Sequence, residues 1–243
     1  MNKISVFENE DLLSQAAANF IVSLSAKSME TNNKFTLALS GGSTPSKLFA
    51  LLATPAYNKT INWKQTFIFW GDERCVPADD DRNNSYMARQ LLLDNVAIPA
   101  ENIFAVPVKM TPVKAAHHYE QTLKIFFKNQ HPSFDLILLG MGDNGHTASL
   151  FPNTPILQET RALIKEVYIK DLDMNRISFT VPLINNAKNI LFLVTGKKKA
   201  GMLHTVLQSK RNTEKYPAQL IKPDKGNKLY WFVDKAAAAK LKK

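Results

Sequence analysis

The amino-acid sequence predicts an α/β fold with a doubly wound, mostly parallel sheet, and three observations lead to it. Short, nearly all-apolar runs alternate with longer amphipathic ones, the pattern of strands buried on both faces and joined by helical crossovers. Apolar residues make up 45% and charged residues 21% of the 243, an ordinary globular balance that excludes wholesale disorder. Glycine is scarce, with nine residues against a usual share of roughly 7%. Seven of the nine (Gly41, Gly42, Gly71, Gly140, Gly142, Gly145 and Gly196) gather in four short segments, each just behind a strand candidate.

The elements follow in order. Ile4–Phe7 reads as a first strand and Asp11–Ser28 as a helix. Phe35–Leu39, entirely apolar but for Thr36, is a buried strand followed by a helix over Pro45–Leu52, where proline suits the first turn. Thr66–Trp70 is the next strand, and Ser85–Leu93 and Val113–Lys128 carry helical periodicity. Phe134–Leu139, Arg176–Val181, Ile190–Val194 and Leu229–Val233 complete the strands, with a helix over Lys199–Leu207. Residues 78–84 are polar and loop-like but too short for a linker, so residues 1–243 are expected to form one domain.

The net charge is +10, which raises the question of a polyanion partner. Part of the excess lies in Lys235, Lys240, Lys242 and Lys243 around a run of alanines, read as a frayed, solvated helix end. No block joins clustered Arg and Lys to interleaved aromatics, so nucleic acid is not the expected partner; an anionic small molecule accounts equally well for the charge. Cys75 is the single cysteine, which excludes an intrachain disulfide and a Cys-based zinc site. The start, Met1-Asn2-Lys3-Ile4-Ser5, lacks the basic and apolar regions of a signal peptide, and no apolar run approaches a membrane span. A cytoplasmic protein without membrane contact is expected.

Four segments carry chemistry. Ser40-Gly41-Gly42-Ser43-Thr44-Pro45 joins a strand to a helix; its N–H groups and hydroxyls suit an anion at the positive helix end, although a plain capped turn reads the same way. It matches neither the Walker lysine loop nor GxGxxG, which argues against a nucleoside triphosphate or dinucleotide. Asp72, Glu73 and Arg74 abut a buried strand and could orient hydroxyls or a carboxylate, whereas Asp79, Asp80 and Asp81 read as a surface cluster. His146 follows the bend Gly140–Gly145 and stands out as a general base; His117, His118, His131 and His204 sit in structural contexts. Arg176 and the loop Thr195–Ala200, with Lys199, suit phosphate, since lysines at a helix start are disfavoured unless an anion lies there.

Together these segments resemble the 6-phosphogluconolactonases, within the group that includes glucosamine-6-phosphate isomerase/deaminase. The resemblance runs through SGGSTP (Ser40–Pro45), WGDERCVP (Trp70–Pro77), LGMGDNGHTASLFP (Leu139–Pro152), the strand from Arg176 and GKKKA (Gly196–Ala200). It implies a NagB-like, Rossmann-related fold and hydrolysis of 6-phospho-D-glucono-1,5-lactone to 6-phosphogluconate, the second step of the oxidative pentose phosphate pathway, without cofactor or metal. The TASLFP ending is lactonase-like; a glucosamine-6-phosphate deaminase or a catalytically weakened sugar-phosphate sensor remains the alternative. The family usually has Asp directly before the Gly-His pair, where this chain has Asn144, which can orient the ring but cannot stabilise imidazolium by charge. Asn84-Ser85-Tyr86, a second departure from the family pattern, receives no role.

The expected site is thus His146, Asn144 and Asp72 as catalytic residues, with Ser40, Gly41, Gly42, Ser43, Thr44, Arg74, Gly142, Arg176 and Lys199 binding substrate. The 6-phosphate is expected on Ser40–Thr44, closed in by Arg176 and Lys199. Backbone N–H groups of Gly41-Gly42 or Gly142–Gly145 are expected to hold the oxyanion. Asp72 and Arg74 would orient sugar hydroxyls or the adjacent loop. The partner is a phosphorylated sugar lactone, and the chain is expected to be a monomer or weak homodimer.

Overall fold

The structure, a computed structural model, describes residues 3–128 and 130–242. The first two residues of the N-terminal stretch and the last lysine of the tail, Lys243, therefore lie outside the described residues. In chain order the elements are β1 (Lys3–Phe7), α1 (Glu10–Asn32), β2 (Phe35–Leu39), α2 (Ser43–Leu52), β3 (Thr66–Trp70), β4 (Asp72–Arg74), α3 (Asn84–Leu91) and α4 (Pro112–Phe126). There follow β5 (Leu136–Leu139), β6 (Ile164–Ile169), β7 (Met174–Phe179), α5 (Val181–Asn185), β8 (Asn189–Val194), α6 (Ala200–Gln208), β9 (Lys228–Asp234) and α7 (Lys235–Ala238).

Six strands form one sheet in the order β1-β9-β8-β5-β2-β3, and every pairing in it is parallel. The apolar runs are its interior: β2 and β5 are buried at every position, as strands covered on both faces must be. Helix boundaries follow local chemistry. Asn9 caps α1 by accepting from Leu12 N–H, and Asn33 ends it in the left-handed conformation at φ 52°. Asn83 caps α3 through Tyr86 N–H, and Asp234 caps α7 through Ala237 N–H. Helix α1 packs on α2, β2 and β9, and α4 packs on β6 and β7. No described helix is long and apolar enough to cross a membrane.

Two strands escaped the sequence reading, and a third belongs to a different sheet. The expected strand at Arg176–Val181 is β7, which pairs antiparallel with β4 and β6 in a separate three-stranded sheet. Gly71 is the junction between the sheets: its N–H donates to Leu39 O in β2, and its carbonyl accepts from Phe179 N–H in β7. Asp72 and Arg74 are therefore strand residues, in register with Ser178 and Arg176.

The strand order also locates the crevice. From β2 the chain passes outward to β3, then returns to the opposite side of β2 as β5. The loops after β2 and β5 thus diverge, which opens a crevice at the carboxyl ends of the strands. The β2–β5 ladder is short, with Leu37 opposite Leu136 and Ala38 opposite Ile137. Asp135 reinforces it. Its carboxylate accepts from Thr36 N–H at 2.8 Å and Thr36 Oγ1 at 2.8 Å and pairs with Lys188 at 2.7 Å, while its carbonyl accepts from Asn189 Nδ2 at 2.9 Å. Asp135→Ala leaves the buried Thr36 N–H without an acceptor and is expected to destabilise the fold by about 2–3 kcal/mol. Urea unfolding measures this; a loss under about 0.5 kcal/mol would show the ladder stable without the clamp.

Candidate active site

The crevice holds a pocket of about 290 Å³ at the divergence of the β2 and β5 loops. Ser40, Gly41 and Gly42 line it from β2, Asp72, Arg74 and Arg176 from the small sheet, and Gly140–Asp143, His146 and Ala148 from the β5 loop; Lys199 closes one side. All but three of the residues expected at the site from sequence meet here. Ser43 and Thr44 stand outside the lining, because residue 43 already begins α2: Ser43 is exposed, and Thr44 Oγ1 lies 2.8 Å from Thr195 Oγ1. Asn144 also stands outside, but touches His146.

The β2 loop offers backbone donors. Gly42 precedes α2 at φ 107°, a conformation L side chains rarely adopt, and caps the helix without a side-chain hydrogen bond. Among the described residues, the N–H groups of Gly41 and Gly42 have no hydrogen-bond partner. The N–H groups of the β5 loop are differently used: Gly142 N–H donates to His146 O and Gly145 N–H to Gly142 O. The N–H groups of Gly142 and Gly145 are thus committed within their own loop, whereas those of Gly41 and Gly42 are open.

His146 is held on three sides. Its Nδ1 lies 2.6 Å from Asn144 Oδ1, which also accepts the His146 backbone N–H at 3.2 Å. That second bond fixes the amide with oxygen toward the histidine, so Nδ1 carries the ring proton and Nε2 keeps its lone pair. The ring stacks on Phe151 with centroids 3.9 Å apart. On the remaining side it occupies the space of a missing side chain: a Cβ on Gly142 would lie 2.0 Å from His146 Cε1. Burial pushes the imidazole pKa down to about 4, with Arg176 and Lys199 adding to the shift and Asp72 and Asp143 opposing it. The ring is neutral, a proton acceptor, across the physiological range.

The charged wall is partly satisfied. Asp72 is buried and accepts from Ser149 Oγ at 2.7 Å, with Arg176 Nη1 at 3.6 Å. Arg176 lies over the Phe151 ring at 5.2 Å, and Arg74 donates to Arg82 O at 2.6 Å. The Nε atoms of both arginines are buried without a partner among the described residues. Two guanidinium groups thus lie in register on adjacent strands, each with an unsatisfied donor, an arrangement whose chemistry suits an anion. Lys199 pairs with Asp143 at 2.5 Å, and that pairing holds the Asp143 carboxyl below its usual range.

Sequence reasoning missed Ser149 and Phe151, although both lie in the quoted TASLFP run, and it gave Asn84 no role. Asn84 Nδ2 donates to Asp72 O at 2.9 Å, and a Cβ on Gly41 would collide with its amide. Ala148 adopts the left-handed conformation at φ 46°, which a non-glycine residue announces by nothing in its sequence. Glu73 lies between Asp72 and Arg74 but points the opposite way, as strand alternation requires, and does not line the pocket.

Comparisons with known proteins identify the relatives of this chain. A family described as glucosamine-6-phosphate isomerases/6-phosphogluconolactonase matches residues 8–231. A 6-phosphogluconolactonase of Synechocystis sp. is 39% identical over 99% of this chain and 98% of its own. The structure of the 6-phosphogluconolactonase from Trypanosoma cruzi superposes with TM-score 0.89 at 30% identity, covering 100% of this chain and 98% of that one. A monomeric glucosamine-6-phosphate deaminase reaches TM-score 0.82 at 19% identity, over 98% of this chain and 99% of its own, and shares the fold alone. With a match across nearly its whole length and the same sheet architecture, the chain belongs to the glucosamine-6-phosphate isomerase/6-phosphogluconolactonase family.

Proposed function

We propose that the protein hydrolyses 6-phospho-D-glucono-1,5-lactone to 6-phospho-D-gluconate. One observation carries the reading. A single pocket joins a neutral, oriented histidine to two arginines with unsatisfied donors, a lysine, and two free backbone N–H groups. A phosphate dianion requires compensating charge in so small a cavity, and Arg74, Arg176 and Lys199 supply it. Ser43 and Thr44 do not line the pocket, and this reading assigns the phosphate no contact with them. Relatives named 6-phosphogluconolactonase over the full length support the same substrate.

The chemistry follows from the positions. His146 Nε2 takes a proton from water as the water oxygen bonds to the lactone carbonyl carbon. The N–H groups of Gly41 and Gly42 receive the oxyanion that forms. The carbon–ring-oxygen bond then breaks, His146 returns its proton to the departing oxygen, and the carboxylic acid product ionises. Substrate binding assists the first step: the phosphate offsets Arg176 and Lys199, two of the influences that depress His146, and so raises its basicity when it is needed. Asp72, fixed by Ser149, holds Arg176 in place and faces the sugar.

The decisive experiment is base uptake on adding freshly generated lactone, compared with the spontaneous rate. Wild-type enzyme is expected to accelerate it, without releasing ammonia from glucosamine 6-phosphate, and His146→Ala to lower kcat by about 10²–10⁴-fold. Turnover by His146→Ala equal to wild type would remove the general-base role. Gly142→Ala places a methyl group in the ring's space, so kcat is expected to fall about 10²-fold with the melting temperature little changed. Asn144→Asp puts a negative charge at Nδ1, and NMR titration is expected to move the His146 midpoint upward from about 4 by one unit or more. An unmoved midpoint would show that residue 144 does not govern the ring's basicity.

A further inference from the structure

Glu73 is wholly buried, yet it lies one residue from two pocket residues without lining the pocket itself. Its carboxylate receives three backbone N–H groups. Oε1 accepts from Arg74 at 2.8 Å and Asn84 at 2.7 Å, and Oε2 accepts from Ser85 at 2.8 Å. Two of these donors open α3, so Glu73 ties the start of that helix to β4. The helix start carries Asn84, whose side chain reaches the pocket wall from behind: it donates to Asp72 O and fills the volume above Gly41. Asn84 thus packs directly on Gly41, and Glu73 holds the backbone N–H of Asn84.

We propose that Glu73 is a positioning residue for the lactone hydrolysis, fixing through Asn84 the backbone of Gly41, whose N–H receives the oxyanion, and that of the Asp72–Arg74 strand. The proposal rests on the lactonase reading above and adds a residue that never touches substrate. Protonation of the carboxyl would turn one acceptor oxygen into a donor facing backbone N–H groups, and at least one of the three bonds would be lost. The start of α3 would loosen, and Asn84 and Gly41 with it.

The group titrates where this matters. Burial pushes Glu73 up to about 7, and the neighbouring Asp72 adds to the rise, against the three N–H bonds that favour the ionised form. The other groups facing it are Arg74 and Cys75 of its own segment, Arg176 from β7 and Tyr119 from α4. Activity is therefore expected to fall as pH drops through 7. Stability has the opposite sign. A carboxyl raised from 4.5 to about 7 binds its proton more tightly in the folded chain, so its contribution grows as pH falls from 7 towards 4.5 and is lost as pH rises. A purely structural role would move activity and stability together.

The test compares kcat of wild type and Glu73→Gln between pH 8 and pH 6, with melting temperatures over the same range. The ratio of the two kcat values cancels the titrations of substrate phosphate and His146, which both enzymes share. At pH 8 the variant is expected to be at least about tenfold slower, a loss suited to a displaced oxyanion donor, while melting no lower than wild type. The ratio is expected to shrink towards one as pH falls to 6. Asn84→Ala, which leaves the Glu73 bonds intact, is expected to reproduce both the loss and the shrinking ratio. Wild-type turnover no faster than the spontaneous reaction would overturn the lactonase reading and this proposal with it. An active wild type with Glu73→Gln or Asn84→Ala within twofold of it, or with a ratio independent of pH, would overturn the role of Glu73 alone.

Discussion

The parallel pairing of β2 with β5 is the constraint on which the rest of the molecule depends. It is the place where the chain turns back on itself, and only Leu37, Ala38, Leu136 and Ile137 form the ladder. A longer ladder would bring the two following loops closer together and close the crevice. A weaker one would let the sheet open at its centre. The Asp135 network resolves this by placing strong bonds at the amino-terminal end of the pair, away from the site, tying Thr36 and Lys188 to a single buried carboxylate and Asn189 to the carbonyl of the same residue. The carboxyl ends stay free to diverge and carry function.

Chemistry at that rim requires positive charge for the substrate and a neutral base beside it. These demands conflict, because cations and burial together drive a histidine to lose basicity. Stacking on Phe151 and the vacancy at Gly142 bury the ring, and Arg176 and Lys199 depress it further. The pocket moderates the field with its own anions: Asp72 faces Arg176, and Asp143 pairs with Lys199. Of the two, only Asp72 is buried and tightly held. Asp143 is exposed and its pairing is one that a phosphate can replace at small cost.

The large sheet was legible because a strand covered on both faces must be apolar at every position, and Phe35–Leu39, Leu136–Leu139 and Ile190–Val194 are nearly so. The small sheet was not. Asp72-Glu73-Arg74 contains no apolar residue and becomes a strand only because Gly71 delivers it beside β7. Glycine scarcity exposed the bends, and His146, Gly142, Arg176 and Lys199 are gathered as read. Side-chain direction was beyond reach: Ser43 and Thr44 share a motif with Gly41 and Gly42, yet they open α2 outside the pocket lining, and the Thr44 hydroxyl meets Thr195. Asn84 carries no local signal, since its contact with Gly41 joins segments more than 40 residues apart, and Glu73 was read only for its place beside Asp72 and Arg74, not for its bonds to the start of α3.

The fold does not decide between the two chemistries of the family, since a glucosamine-6-phosphate deaminase adopts the same architecture. The decision lies in the β5 loop. An aldose–ketose isomerisation moves protons between adjacent carbons and calls for groups able to donate as well as accept at neutral pH. Here the ring is neutral, hydrogen-bonded by an amide at residue 144 and backed by an aromatic face, and its burial disfavours imidazolium. Such a base suits a reaction whose electrophile is already reactive and whose proton is held only briefly. A strained cyclic ester meets that requirement, and an amino sugar phosphate does not. The buried, neutral ring of His146, rather than the sheet that carries it, is the feature that accords with the hydrolysis proposed for this chain.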